Sequence, residues 1–127
     1  MENKALNLLL AQNVYSMATQ SALQIFELSR GFAQGGPKSI RAKLISTSGN
    51  ICSHLSAAWQ NRNTRNVFIE NLNHASTHTA QVIDFIQESL DFDFIDKPVA
   101  DDLTGKYQQI FEKINEMLEN VTLGTKD

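Results

Sequence analysis

His74 and His78 stand one helical turn apart in "NHASTHTA" (residues 73–80). Residues i and i+4 share a helix face, so two imidazoles at this spacing could chelate one metal ion. The segment "HASTH" lacks, however, the glutamate that follows the first histidine of a zinc-peptidase helix and acts as its base. On a helical wheel the pair lies towards one flank of the apolar stripe Phe68–Leu72–Ala75–Thr79. That placement reads as solvated or interface histidines, with a small metal-dependent enzyme at His74 and His78 as the least favoured reading. His54 could join them only if its helix aligned well with theirs. Cys52, the single cysteine, excludes an intrachain disulfide and fits a reducing compartment. No His–Asp arrangement can be placed around it, so it reads as a small hydrophobe. The acids of "DFDFID" and "ADD" around Pro98 lack the glycine-turned ligand loop of an EF-hand, and helix N-termini attract acids anyway. There is no P-loop, no dinucleotide glycine motif and no supported pair of catalytic carboxylates. The sequence therefore implies no enzyme, no catalytic or metal residue and no cofactor.

What remains is electrostatic. Arg30, Lys38, Arg41, Lys43, Arg62 and Arg65 lie in a block that contains no Asp or Glu. The chain has 11 basic and 14 acidic residues, so the block carries +6 and the rest 5 − 14 = −9. Such asymmetry points to an anionic partner, nucleic acid or an acidic protein, or to charge matching between subunits. The two ends of the block fall at opposite ends of one helix, roughly 30 Å apart at 1.5 Å per residue. They form no single compact patch, although a cyclic oligomer would gather them into rings. A sequence pI of 5.5 is also unlike that of a typical nucleic-acid binder.

These residues must be positioned by helices. With 127 residues and 42% hydrophobic content the chain suits one domain, residues 1–127, with one core. Apolar residues recur three and four apart in four segments, and none has the period of a strand. The first runs from about Glu2 to Arg30, with Leu6, Leu10, Val14, Met17, Ser21 and Leu28 as its stripe, Leu9, Ala18 and Ile25 beside them, and Gly31 as a C′ residue. The "RGFAQGGPKS" stretch reads as a loop. The second begins near Ser39, with Ile40, Leu44, Ile51, Leu55 and Trp59 or Ala58. The third follows Asn63 or Thr64, with Phe68, Leu72, Ala75, Thr79, Val82, Ile86 and Leu90. Asp96 caps the fourth, with Pro98 in its first turn and Leu103, Tyr107, Ile110, Ile114, Met117 and Val121 inside. Short loops between four amphipathic helices predict an all-α, antiparallel up-down-up-down bundle. Helices two and four look shorter than the first, which would then overhang. No apolar run approaches the roughly 18 residues of a membrane span. The N-terminus is a poor signal peptide, so a cytoplasmic protein without a membrane partner is expected.

Ser46–Gly49, "STSG", interrupts the large residues of the second helix. Small side chains admit close helix approach, either within the bundle or at a subunit contact. The candidate contact residues are Ser46, Ser48, Gly49, Ala57 and Ala58, with Trp59 as an anchor.

"VYSMATQSALQIFELSRGF" (residues 14–32) resembles the first helix of the 23S rRNA intervening-sequence proteins, also called four-helix-bundle proteins. "NICSHLSAAW" and "QNRNTRNVF" are similar to that family's second helix and basic turn, and "IFEKINEMLENV" to its last helix. The family's hallmark Pro, Asn, Glu and Gly are replaced here by Cys52, His54, Ala57 and Ala58. The resemblance spans about residues 11–121 and implies a four-helix bundle that assembles as a homopentamer. Similar proteins include accessory proteins of diversity-generating retroelements, which bind a reverse transcriptase and nucleic acid. The combined expectation is a non-enzymatic, self-assembling interaction or accessory subunit. The alternative is a nucleic-acid-binding accessory factor that uses the six basic residues.

Overall fold

A computed structural model describes residues 2–32 and 38–124, with side chains over 8–32 and 38–121. Four helices follow in order: α1 (Glu2–Ser29), α2 (Ile40–Gln60), α3 (Arg65–Asp91) and α4 (Lys97–Gly124). Among the described residues there is no strand. Each helix packs on two neighbours, α1 on α2 and α4, and α3 on α2 and α4, while the backbones of the diagonal pairs stay farther apart. The result is the expected antiparallel four-helix ring. Its directions are visible in pairs such as Lys43 with Glu88 and His54 with His74, where numbers rise along α2 as they fall along α3.

The helix boundaries have local causes. The Ser39 hydroxyl accepts a bond from the Ala42 amide at 3.1 Å, and Asp96 Oδ1 accepts one from Val99 at 3.1 Å. Both side chains satisfy amides that would otherwise lack partners in a first turn. Pro98 then fits beside Lys97, where no intrahelical N–H is required. Thr64 precedes α3 but makes no side-chain cap bond. At the far end of α3, the Phe94 amide donates to Ser89 O (2.9 Å) and the Asp93 amide to Leu90 O (3.0 Å). This is a Schellman closure with Asp93, at φ 60°, in the left-handed position usually given to glycine. Phe94 then packs on Phe32, with ring centroids 5.0 Å apart, tying the α3–α4 turn to the end of α1.

Gly31 stands at C′ as expected, two residues past Ser29, although α1 closes there without a left-handed glycine, in tight turn bonds from Arg30 to Glu27 O and from Phe32 to Ser29 O. Two sequence expectations need correction. Helix α4 has 28 residues, as many as α1, since nothing interrupts it after Val121 until Gly124. Only α2, with 21, is short. Leu9 is 65% exposed and stands outside the core, which α1 enters through Leu10, Val14, Ala18, Ser21 and Ile25. Half of the proposed loop, residues 33–37, lies outside the described residues, as does the side chain of Leu6.

The core stripe of α2 is Leu44, Thr47, Ser48, Ile51, Leu55 and Ala58, so Ala58 rather than Trp59 continues it. Thr47 and Ser48 thus replace a turn of large residues inside the bundle. Ser48 donates to Ile45 O at 3.2 Å, and Thr79 and Ser89 of α3 likewise back-bond to Ala75 O (2.7 Å) and Phe85 O (2.8 Å). A hydroxyl satisfied on its own helix can be buried without the cost of an unpaired polar group. The "STSG" turn is therefore part of the monomer's packing at Thr47 and Ser48, while Ser46 and Gly49 remain exposed. A Cβ at Gly49 would meet no atom within 4 Å. Gly49→Ala is expected to raise the stability of the isolated chain by about 1 kcal/mol, the helix-propensity difference, in urea unfolding. A loss of stability would show that this exposed turn is occupied by something other than solvent.

Candidate functional site

Exposed apolar surface is concentrated on one helix. Leu8, Leu9, Tyr15, Leu23 and Phe26, all on α1, are between 40% and 65% exposed, and among the described residues the remaining large exposed hydrophobe is Phe92. Leu8, Tyr15 and Phe26 recur seven and eleven residues apart, spacings that keep them on one side of a helix. From Ala5 to Phe26 there is no charged residue at all. A helix that is apolar or neutral around its circumference is normally covered on more than one side. The sequence held this signal in its run of 22 uncharged residues (5 to 26), but the apolar stripe alone did not say which leucines the bundle would leave outside.

Tyr15 also lines a cleft of about 290 Å³ between α1 and α2. Ala11, Gln12, Leu55, Ser56 and Trp59 line it as well, and Phe68, Leu72 and Met117 reach it from α3 and α4. The stripe and the cleft therefore form one continuous α1–α2 surface, without an acidic side chain among the residues named. Along its other flank α1 meets α4 through polar contacts: Gln24 donates to Asp102 at 3.3 Å and accepts from Lys106 at 2.8 Å. A further contact from Lys106 Nζ, 3.2 Å from Asp102 Oδ2, and the Gln24 bond hold the Asp102 carboxyl below its ordinary range. Apart from Glu2 and Glu27, every acid of the chain lies at Glu70 or beyond.

The six contact candidates divide. Ser48 and Ala58 are buried in the bundle, Ala57 and Trp59 are half-buried, and Ser46 and Gly49 are exposed. Trp59 stands at the α1–α2 cleft under Arg62, whose guanidinium lies 4.3 Å from the ring centroid. The basic candidates are largely engaged locally. Arg30 pairs with Glu27 at 3.3 Å, and Lys43 pairs with Glu88 at 3.6 Å and lies over Phe85. Arg41 lies over Phe26, 5.6 Å from its centroid, with its Nε buried and unpaired. Lys38 and Arg65 are exposed at opposite ends of α2. The structure does not gather the six on one face.

It does gather the histidines. His54 of α2 stacks on His74 and His78 of α3, with ring centroids 4.9 Å and 5.4 Å away. The alignment that sequence could not supply is thus present. Cys52 is half-buried beside α1, and burial pushes its thiol above the ordinary range despite an opposing hydrogen bond from Thr19. A thiol held protonated is a weak nucleophile.

Tyr107 is fully buried and its hydroxyl finds no partner. Burial first, and the neighbouring Cys52 second, raise its ionisation well above the ordinary value. A phenol ionises near pH ~10 in an unfolded chain, so above that pH the unfolded state binds fewer protons than the folded one. Stability from this residue is complete below about pH 10 and falls as pH rises further. Tyr107→Phe removes both the orphan hydroxyl and this titration. Urea unfolding should show the variant as stable as the parent or up to ~1 kcal/mol more so at pH 8, with a smaller loss on going to about pH 11.

No protein-family model matches the chain, and no curated protein matches it significantly. In fold it is similar to the crystal structure of a protein of unknown function from the S23 ribosomal protein family of Bacteroides thetaiotaomicron. The TM-score is 0.78 at 14% identity, over 87% of this chain and 98% of that one. At that identity the likeness shows the shared four-helix fold, in agreement with the bundle implied by the family resemblance. Among the described residues no helix is long and apolar enough to cross a membrane.

Proposed function

We propose that this protein is a non-enzymatic bundle subunit that assembles with copies of itself through the α1–α2 face and serves as an interaction or accessory subunit. The observation that carries the reading is the uncharged outer side of α1, with Leu8, Leu9, Tyr15, Leu23 and Phe26 in solvent. Exposed leucines at 61% and 65% would cost little singly, but a contiguous set on a charge-free stretch of helix marks an interaction surface. A second copy of the same surface is its fitting occupant. Neither copy brings a charge from residues 5–26 that would have to be desolvated, and the cations at its border, Arg41 over Phe26 and Arg62 over Trp59, come from α2 and the turn after it.

Size sets a further requirement. From Leu8 to Phe26 the stripe is about 28 Å long and one helix, roughly 10 Å, wide. Its ~280 Å² falls short of the ~800 Å² per partner of a stable interface, so the α2 wall with Trp59 has to take part. The family resemblance makes a ring of five the expected form.

Light scattering of the full chain tests this. The expected mass is a multiple of 14.2 kDa, near five subunits, and unchanged in high salt because the contact is apolar. Leu23→Glu, an exposed substitution that leaves the core alone, should give a folded monomer by light scattering and circular dichroism. A monomeric parent protein at every salt concentration, or an oligomer indifferent to Leu23→Glu, would sink the proposal.

A further inference from the structure

The three histidines of the chain meet at one place on the α2–α3 seam, away from the α1–α2 face. Their hydrogen bonds define the chemical state of the first. Asn71 Nδ2 donates to Val67 O at 3.0 Å, which turns the amide oxygen towards His54 Nδ1, also at 3.0 Å. Nδ1 of His54 must then carry the proton, leaving a lone pair on Nε2. That is the tautomer in which an outer partner orients imidazole for a metal ion. His78 repeats the arrangement, with Nδ1 3.0 Å from Gln81 Oε1. Glu70 brings a carboxylate oxygen to 3.8 Å from His74 Nε2, and this negative charge favours a cation nearby.

The distance of His54 from each α3 histidine is one that two ligands of an ion can have. With Zn–N bonds of about 2.05 Å and the ring centre about 1.1 Å beyond the nitrogen, two imidazoles on a tetrahedral ion have centroids roughly 5 Å apart. The observed separations are 4.9 Å and 5.4 Å. What differs is orientation. The rings lie face to face at 26° and 18°, and among the described residues no three such side chains yet converge on one point. His74 is exposed, so its ring is the one that has to turn to bring the set together, while His54 and His78 keep their Nδ1 bonds to Asn71 and Gln81.

We propose that His54, His74 and His78 bind one borderline divalent transition-metal cation, of which zinc is the type, as a structural clip between α2 and α3. No reaction is attached to it, and it stands independently of the assembly surface. Imidazole from two helices suits zinc, nickel and cobalt alike, with a fourth position left to water.

The test uses metal-free full-length protein. Titration with Zn²⁺ followed by calorimetry should show one cation per chain, and Co²⁺ should give the visible absorption of a four-coordinate site. The unfolding temperature should rise with Zn²⁺, as it does for any ligand of the folded state alone. His54→Gln and His78→Gln should each weaken binding at least about tenfold, and Asn71→Leu about tenfold by releasing the orienting bond. All three positions lie outside the fully buried core, and circular dichroism checks their folding. Equal binding by the parent and a His54/His74/His78→Gln triple variant would overturn the site. Binding that survives His54→Gln would reduce it to a surface pair on α3 and overturn the clip.

Discussion

A ring of four helices can bury one apolar stripe on each, and α1 carries more apolar surface than that allowance. Its inner stripe, Leu10 to Ile25, is used up by the core. The second set, from Leu8 to Phe26, has nowhere to go within the monomer. The other helices obey the constraint. In α3 and α4 the outward positions are charged or polar, and their ion pairs, such as Lys97 with Asp101 at 3.1 Å, are the ordinary dress of a solvated helix. The imbalance of α1 against its neighbours is what the proposed assembly rests on.

The same economy explains why α2 is made of small residues. Between Leu44 and Ile51 its buried positions hold Thr47 and Ser48, and after Leu55 it closes with Ala58. Side chains of this size shorten the distance at which α2 can meet its neighbours, at the cost of hydrophobic area. The lost area is partly recovered from large fully buried groups opposite, among them Leu72, Ile86, Ile110, Ile114 and Tyr107. Tyr107 brings a hydroxyl with it that the core does not satisfy, a local cost of order 1–3 kcal/mol set against burial of its ring.

Shared fold and sequence resemblance agree on the bundle and are silent on its task. The neighbour from the S23 ribosomal protein family is itself of unknown function. Cys52, His54, Ala57 and Ala58, where the sequence departs from the pattern it otherwise resembles, fall on the helix that meets both α1 and α3. Two of them now have local partners of this chain's own: Cys52 with Thr19 of α1, and His54 with Asn71 and the histidines of α3.

The sequence by itself determined the helices. Their number, their phases and most of their ends follow from three- and four-residue apolar spacing and from caps such as Ser39 and Asp96, all local properties of a few neighbouring residues. It also carried the missing charge of α1, a compositional fact that needs no coordinates. Tertiary structure decided what depends on the relative rotation and offset of helices. Whether Leu9 or Leu10 faced inward is one such matter, since on α1 both faces are apolar and periodicity cannot choose between them. The choice of Ala58 over Trp59 is another, because two adjacent residues sit 100° apart and either extends a stripe. The meeting of His54 with His74 and His78 is the clearest case. It needs a sliding register between α2 and α3 correct to within a turn, and that register is set by the packing of side chains far apart in the chain.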